Sequence, residues 1–379
     1  MRNARRSRVD PFIVMDVMEA ARAAEASGRD IVHMEVGQPG TPAPRRAREA
    51  LAAALDQPLG YTVSLGLPAL RERIARLYRE WYDVAVPAER VIVTAGASGA
   101  FTLAFLALFD AGDRVAVGDP GYPSYRNILR ALDLTVDRIE TQVAARYQPT
   151  PGDVHGGLDG LLIASPANPT GSMLDRGQLG ALVEACRAHD VALISDEIYH
   201  GLHYGDRAVS ALELSEDAIV VNSFSKYFSM TGWRIGWMVV PEGLVRTVER
   251  LAQNLFICPP HASQIAALAA LDATEELEAN RAVYAANRAR LLEALPALGF
   301  ADIAPPDGAF YIYADIGHLT DDSRDFTRRM LGEAGVAATP GHDFDPVRGA
   351  TTLRFSYAET TERIEEGIRR LTAWRQGNG

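Results

Sequence analysis

Short apolar runs recur along the middle of the chain at helix-length intervals, and no other feature limits the fold as much. Val91–Val93, Arg114–Val117, Leu161–Ala164, Ala192–Ser195 and Ile219–Asn222 are each bounded by Gly, Pro, Asp or Ser and read as buried strands. Strands alternating with helices predict an α/β domain with a largely parallel sheet. Polar residues stand just past these runs: Gly96–Ser98, Asp119–Tyr122, Asn168, Asp196–Tyr199 and Ser223–Lys226. Ligands of open α/β sheets bind outside the carboxyl ends of the strands, so a shared site is expected there. The last third changes character. A helix rich in Ala, Arg and Glu over 276–295, strand-like 309–313, a helix near 323–334, strand-like 351–356 and a closing helix near 361–374 predict a smaller α+β domain. The segment up to about Thr41 is too short for a core of its own and is expected to pack with that domain. With 379 residues, 47% of them hydrophobic, the chain has material for two cores.

A formal net charge of −11 argues against nonspecific nucleic-acid binding. Arg2, Arg5, Arg6 and Arg8 form a local exception and read as a solvated tail, since no apolar stretch follows to make a signal peptide. No apolar run reaches the length of a membrane helix; the longest, near Phe101 to Phe109, is closed by Asp110. Two cysteines, Cys186 and Cys258, supply neither a disulfide framework nor a zinc quartet, which suits a reduced, cytoplasmic setting. His200, His203 and His261 have no metal-ligand spacing. Lys226 is the only lysine among 38 basic residues. Arginine stays protonated in proteins, whereas a lysine can lose its proton and attack a carbonyl. A lysine that survives so strong a bias toward arginine is therefore a candidate nucleophile.

The segment Ser223-Phe224-Ser225-Lys226, followed by Thr231-Gly232-Trp233-Arg234-Ile235-Gly236-Trp237, resembles the cofactor-lysine signature of the class I/II aminotransferases, pyridoxal-phosphate enzymes of fold type I. The resemblance runs from Gly37-Gln38-Pro39-Gly40 to Leu353-Arg354-Phe355-Ser356-Tyr357 and rests on an ordered set of motifs. It implies a large α/β domain over 47–277, with a mostly parallel central sheet flanked by helices, and a smaller α+β domain from 1–46 and 278–379. It also implies pyridoxal 5'-phosphate as cofactor, held as a Schiff base on Lys226, which then acts as the general acid/base at the substrate Cα. Asp196 matches the partner of the pyridine nitrogen, where a carboxylate stabilises the protonated ring as an electron sink. Tyr199 and Asn168 match the donors to the phenolic oxygen, and Tyr122 matches the aromatic residue stacked on the ring. For the phosphate the resemblance points to Ala97 and Ser98 at a helix start, with Ser223, Ser225 and Arg234. Many members carry glutamine where this chain has Gly99. Arg354 matches the arginine that grips the substrate α-carboxylate, with Gly37 bringing backbone to the same group. Tyr61 matches a tyrosine that reaches the neighbouring subunit's phosphate, which implies a homodimer with composite sites. Plainer readings exist beside these: a helix cap for Asp196 or Ser98, a turn for Asn168, packed aromatics for Tyr61, Tyr122 and Tyr199, and structural ion pairs for Arg234 and Arg354.

Ping-pong transfer of an amino group between an L-amino acid and a 2-oxo acid is the leading reading. A carbon–sulfur β-lyase on the same scaffold would keep the same cofactor residues and is the alternative. A cofactor-sensing transcription regulator is not expected, because the resemblance already begins by about Gly37. A nicotinamide dehydrogenase is not expected either, because Thr94-Ala95-Gly96-Ala97-Ser98-Gly99 lacks the G-x-G-x-x-G spacing. An acidic substrate side chain would require a second cation, and no arginine beyond Arg234 and Arg354 occupies a recognisable position. Phe12-Ile13, Tyr122 and Ala309-Phe310-Tyr311 are apolar or aromatic, so neutral or hydrophobic amino acids are the expected substrates.

Overall fold

All five expected strands form, each one or two residues longer than the apolar run that marks it. The structure, a computed structural model, describes residues 3–377; Arg2 lies outside them. A short β1 (Val32–His33) precedes the main sheet, which holds β2 (Val91–Thr94), β3 (Arg114–Asp119), β4 (Thr135–Glu140), β5 (Gly160–Ala164), β6 (Ala192–Asp196), β7 (Ile219–Ser223) and β8 (Gly236–Val239). The spatial order is β2-β8-β7-β6-β5-β3-β4. Only β8 runs against its neighbours β2 and β7; every other pair is parallel.

Successive side chains of a strand point to opposite faces, and the core divides accordingly. Ile92, Val117, Leu162, Ile194, Val221 and Met238 share one buried cluster with Phe101 and Phe105 of the helix Gly96–Leu108. Val93, Ala116, Leu161, Leu193, Val220 and Val239 share another with Leu179 and Leu182 of the helix Arg176–His189. Both faces are thus covered by helices, and each fully buried aliphatic side chain contributes about 1.5–3 kcal/mol. The parallel strands bring Asp119, Ala164, Asp196 and Ser223 to one edge of the sheet, where their loops converge.

The remaining strands are β9 (Tyr311–Asp315), β10 (Val336–Ala337), β11 (Thr339–Pro340) and β12 (Thr352–Ser356). β12 lies between β11 and β9, antiparallel to both. β1 joins β10 in parallel, so the N-terminal segment buries its strand against the C-terminal part. The strand expected at 309–313 begins later, because Ala309 is in the left-handed region at φ 58°. The helix expected at 323–334 divides into an α-helix over Ser323–Arg329 and a π-turn over Met330–Ala334. Arg5, Arg6 and Arg8 are exposed, and Arg5 reaches Asp133 at 3.0 Å. Among the described residues no helix is long and apolar enough to cross a membrane, and no group of His, Cys, Asp and Glu is arranged to hold a metal.

Candidate active site

A cavity of about 290 Å3 opens at the convergence of these loops, and Lys226 lies on its wall. The turn after β7 carries this lysine inward, and its Nζ donates to the Gly37 carbonyl oxygen. Burial, then the positive charges of Arg354 and Arg234, lower its pKa to about 7, against the opposing pull of Asp196. A large share of the amine is therefore unprotonated near neutrality, the form that attacks a carbonyl.

Asp196 ends β6 at the bottom of the cavity. Its Oδ1 accepts from the Ile198 N–H at 3.0 Å, and its Oδ2 accepts from the Tyr125 hydroxyl. No helix begins here, so the carboxylate is not a helix cap. Burial pushes its pKa up to about 6, against the Tyr125 and Ile198 bonds. Glu197, the next residue, faces away: its Oε1 accepts from Ala211 N–H at 2.7 Å and Ser210 Oγ at 3.0 Å.

Arg354 lies on β12 and is buried. Its Nη1 donates to Asn168 Oδ1 at 2.7 Å and its Nη2 to the Glu35 carbonyl at 2.5 Å, while its Nε is buried with no partner. The guanidinium carbon lies 4.3 Å from the Tyr311 ring centre and 4.6 Å from that of Phe344. An arginine only donates, so the Asn168 atom facing it must be the oxygen, and the amide N–H groups of Asn168 are left for another acceptor. Tyr199 and Tyr311 share a hydroxyl–hydroxyl bond of 2.6 Å. Gly37 is held to glycine by contact: a Cβ there would lie 1.8 Å from the Tyr311 hydroxyl.

At the other end, the helix Gly96–Leu108 begins with Ala97 and Ser98 on the wall. Arg234 has φ 51° and its Nη1 donates to the Thr231 carbonyl at 3.0 Å. Its Nη2 would lie 2.6 Å from a Cβ on Gly96, so the guanidinium covers the helix start. Free N–H groups, a helix dipole, a guanidinium and the hydroxyls of Ser98 and Ser225 make a receptor for a phosphate dianion.

The structure brings Gly37, Ala97, Ser98, Tyr122, Asn168, Asp196, Tyr199, Ser225, Lys226, Arg234 and Arg354 to this one cavity. Two expected residues are not on its wall. Ser223 stands one layer back, its Oγ donating to the Ile235 carbonyl at 3.0 Å and meeting Ser225 Oγ at 2.8 Å. Tyr61 is 84% exposed on the outer surface of the same chain. Of the apolar positions expected near substrate, Phe12, Tyr122 and Tyr311 line the cavity, while Ile13, Ala309 and Phe310 do not. Sequence reasoning missed Tyr125, which lies three residues past Tyr122 and so one helical turn away. It also missed Val14, Met15 and Met18 on the helix Ile13–Ala26, whose one-face spacing was the available signal.

The sequence pattern of aminotransferase class I and II matches residues 29–371, and the chain belongs to that family. It is a fold-type I aminotransferase that uses pyridoxal phosphate to move amino groups between amino acids and 2-oxo acids. It is 48% identical to the valine–pyruvate aminotransferase of Mycobacterium tuberculosis, over 98% of each chain. Its fold superposes on a solved aminotransferase from Mycobacterium tuberculosis with a TM-score of 0.97, at 47% identity and covering all of both chains. It superposes on Thermus thermophilus aspartate aminotransferase with a TM-score of 0.92, at 32% identity and covering 98% of this chain and all of that one. Nothing in the site or among these relatives favours the carbon–sulfur lyase alternative.

Proposed function

We propose that this aminotransferase works on neutral, mainly aliphatic or aromatic L-amino acids. The observation that carries the reading is the inventory of cations. Among the described residues, the cavity wall holds three: Lys226, Arg234 and Arg354. Each has a task. Lys226 carries the cofactor and afterwards holds and returns the proton at the substrate Cα. Arg234, with Ala97, Ser98 and Ser225, holds the phosphate, and Ser223 buttresses Ser225. Arg354 grips the substrate α-carboxylate, for which its unpartnered buried Nε is available. No cation is left for a distal carboxylate, and Phe12, Val14, Met15, Met18 and Tyr311 supply apolar surface. Asp196 pairs with the pyridine nitrogen, Tyr199 and Asn168 donate to the phenolic oxygen, Tyr122 covers the ring, and Gly37 borders the carboxylate. Bound there, pyridoxal phosphate supplies the electron sink that makes the Cα–H acidic. The similarity to a relative described as a valine–pyruvate enzyme agrees with neutral substrates, and pyruvate is a candidate acceptor.

We further infer a division of the chain into 47–277 and a second body from 1–46 with 278–379, a cytoplasmic setting in which Cys186 and Cys258 stay reduced, and a homodimer. The dimer reading is supported by exposed apolar side chains at Tyr61, Val63, Leu255, Phe256 and Ile257. The two segments adjoin, since His261 Nδ1 lies 3.0 Å from the Gly60 carbonyl and Gln264 Nε2 lies 3.0 Å from Thr62 Oγ1.

The test is kcat/KM for alanine, valine, leucine, phenylalanine, aspartate and glutamate with one common acceptor. Neutral donors should exceed aspartate by about tenfold or more, the scale that separates a paired from an unpaired carboxylate in an apolar pocket. Aspartate exceeding every neutral donor would overturn the reading.

A further inference from the structure

The helix Ile13–Ala26 starts without a cap of its own: Phe12 precedes it and supplies no side-chain bond. The first N–H groups of a helix have no partner within it. Two of them are met from the far end of the chain. Asp343 Oδ1 accepts from the Ile13 N–H at 2.9 Å, and its Oδ2 accepts from the Val14 N–H at 3.1 Å. Asp343 is 1% exposed, and its own backbone carbonyl accepts from Arg126 Nη2 at 2.5 Å. Arg126 belongs to the helix Pro123–Ala131, which begins just after Tyr122. One carboxylate thus ties the first turn of the N-terminal helix to the framework behind Tyr122, with a negative charge at the end of the helix dipole that favours it.

That first turn bears on the cavity. Phe12, Val14, Met15 and Met18 line it, and Phe12 meets the Tyr122 ring edge-on at 5.7 Å. Met15 is 48% exposed, which puts it at the mouth. Asp343 itself is not on the wall.

We infer that Asp343 is a positioning residue for substrate selection: it fixes the first turns of the N-terminal helix so that Val14, Met15 and Met18 form the wall that receives the substrate side chain. The inference rests on the neutral-substrate reading above. Methionine is unbranched and adapts its shape, so such a wall accepts branched and straight side chains alike. Its contribution grows with side-chain length. On this inference an alanine methyl ends short of the wall, and a leucine side chain reaches it.

The holoenzyme variants Asp343→Ala and Met18→Ala test this, with kcat and KM measured for alanine and leucine against one acceptor. Hydrogen exchange is followed at the amides of residues 13–18, and cofactor absorbance is recorded. In Asp343→Ala the Ile13 and Val14 amides should exchange about tenfold faster or more. The leucine-to-alanine ratio of kcat/KM should fall about tenfold, through the KM for leucine, with cofactor absorbance retained. Met18→Ala should lower the same ratio by about threefold with amide protection unchanged, which keeps the wall testable should Asp343→Ala fail to fold. A ratio within about twofold of wild type in Met18→Ala, and in Asp343→Ala where it folds, overturns the wall. Undiminished protection at residues 13 and 14 in a folded Asp343→Ala overturns the tie. A wild-type enzyme that prefers aspartate overturns the substrate reading instead, whereas a wild type that prefers leucine with unmoved ratios overturns this inference alone.

Discussion

The place of Lys226 on the cavity wall was legible in the sequence because of what surrounds it: every other member of the Lys and Arg set is an arginine, so the one amine stands out. Its depressed pKa was not legible, since it arises from burial beside Arg354 and Arg234, which are distant in sequence or on another turn. Borohydride reduction of the holoenzyme followed by peptide mass spectrometry should place the pyridoxyl group on Lys226, and an unmodified Lys226 peptide would contradict the assignment. Lys226→Arg puts a permanent cation in place of an amine that can lose its proton, and should lose turnover by about 10²–10⁴-fold or more. The place of Asp196 in the cavity was legible from its motif, but its partner Tyr125 was not, because one tyrosine on a helix reads as packing. The raised pKa of Asp196 gives a stability prediction whose sign runs opposite to that of a salt-bridged carboxylate. The folded chain binds this proton more tightly (about 6 against 3.8), so in the cofactor-free protein its cost is absent below pH 4 and grows as pH rises through 6. Relative to wild type, cofactor-free Asp196→Asn should therefore gain about 2–3 kcal/mol between pH 4 and 7.5 in urea melts. The same difference at both pH values would show that burial does not burden Asp196 as described. Cα deprotonation should slow in that variant, because a neutral ring is a poorer electron sink.

The elements that could be read were those with uniform burial. The five strands expected from apolar runs formed because both faces of the sheet are covered, which keeps the middle of each run apolar. β4 escaped because it is an edge strand whose charged residues interrupt the pattern, and β8 because its glycine and tryptophan belong to the lysine motif. The split of the helix at Met330 depends on a π-turn that periodicity does not register. The start of the helix Gly96–Leu108 carries a prediction at this scale. Gly96 has φ 72°, and a Cβ there would approach Arg234 Nη2 to 2.6 Å. Gly96→Ala should strain the backbone by about 1–2 kcal/mol and push the guanidinium off the helix start. Cofactor affinity should fall about tenfold while far-UV circular dichroism is unchanged. Unaltered affinity would mean that Arg234 does not work from that position.

Across the whole molecule the sequence disclosed the ordered motifs but not what closes the site, because closure depends on parts that meet only in space. The N-terminal helix reaches the cavity through Asp343, from the opposite end of the chain, and β1 finds its partner in β10. In the proposed dimer, Tyr61 would carry the same logic beyond one chain. It is 84% exposed and off the cavity of its own chain, and Val63, Leu255, Phe256 and Ile257 are exposed too, near the His261–Gly60 and Gln264–Thr62 contacts that join the two segments. A large aromatic side chain left in water among other apolar ones is costly unless a partner covers it. Phe256 lies 3.9 Å from the Cβ position of Gly99, so this patch borders the helix start proposed to hold the phosphate. A two-fold pairing through such a patch would present each Tyr61 hydroxyl to the other subunit's phosphate, and each subunit would complete its neighbour's site. Tyr61→Phe should then weaken cofactor binding, and Lys226→Ala should abolish turnover. Mixing the two variants under conditions of proven subunit exchange yields heterodimers in which one site carries both substitutions and the other carries neither. Random exchange makes half of the dimers mixed, so about a quarter of all sites should regain wild-type activity. Activity no higher than the sum of the separate parents would place Tyr61 and Lys226 of one site on the same chain, or remove Tyr61 from the site altogether.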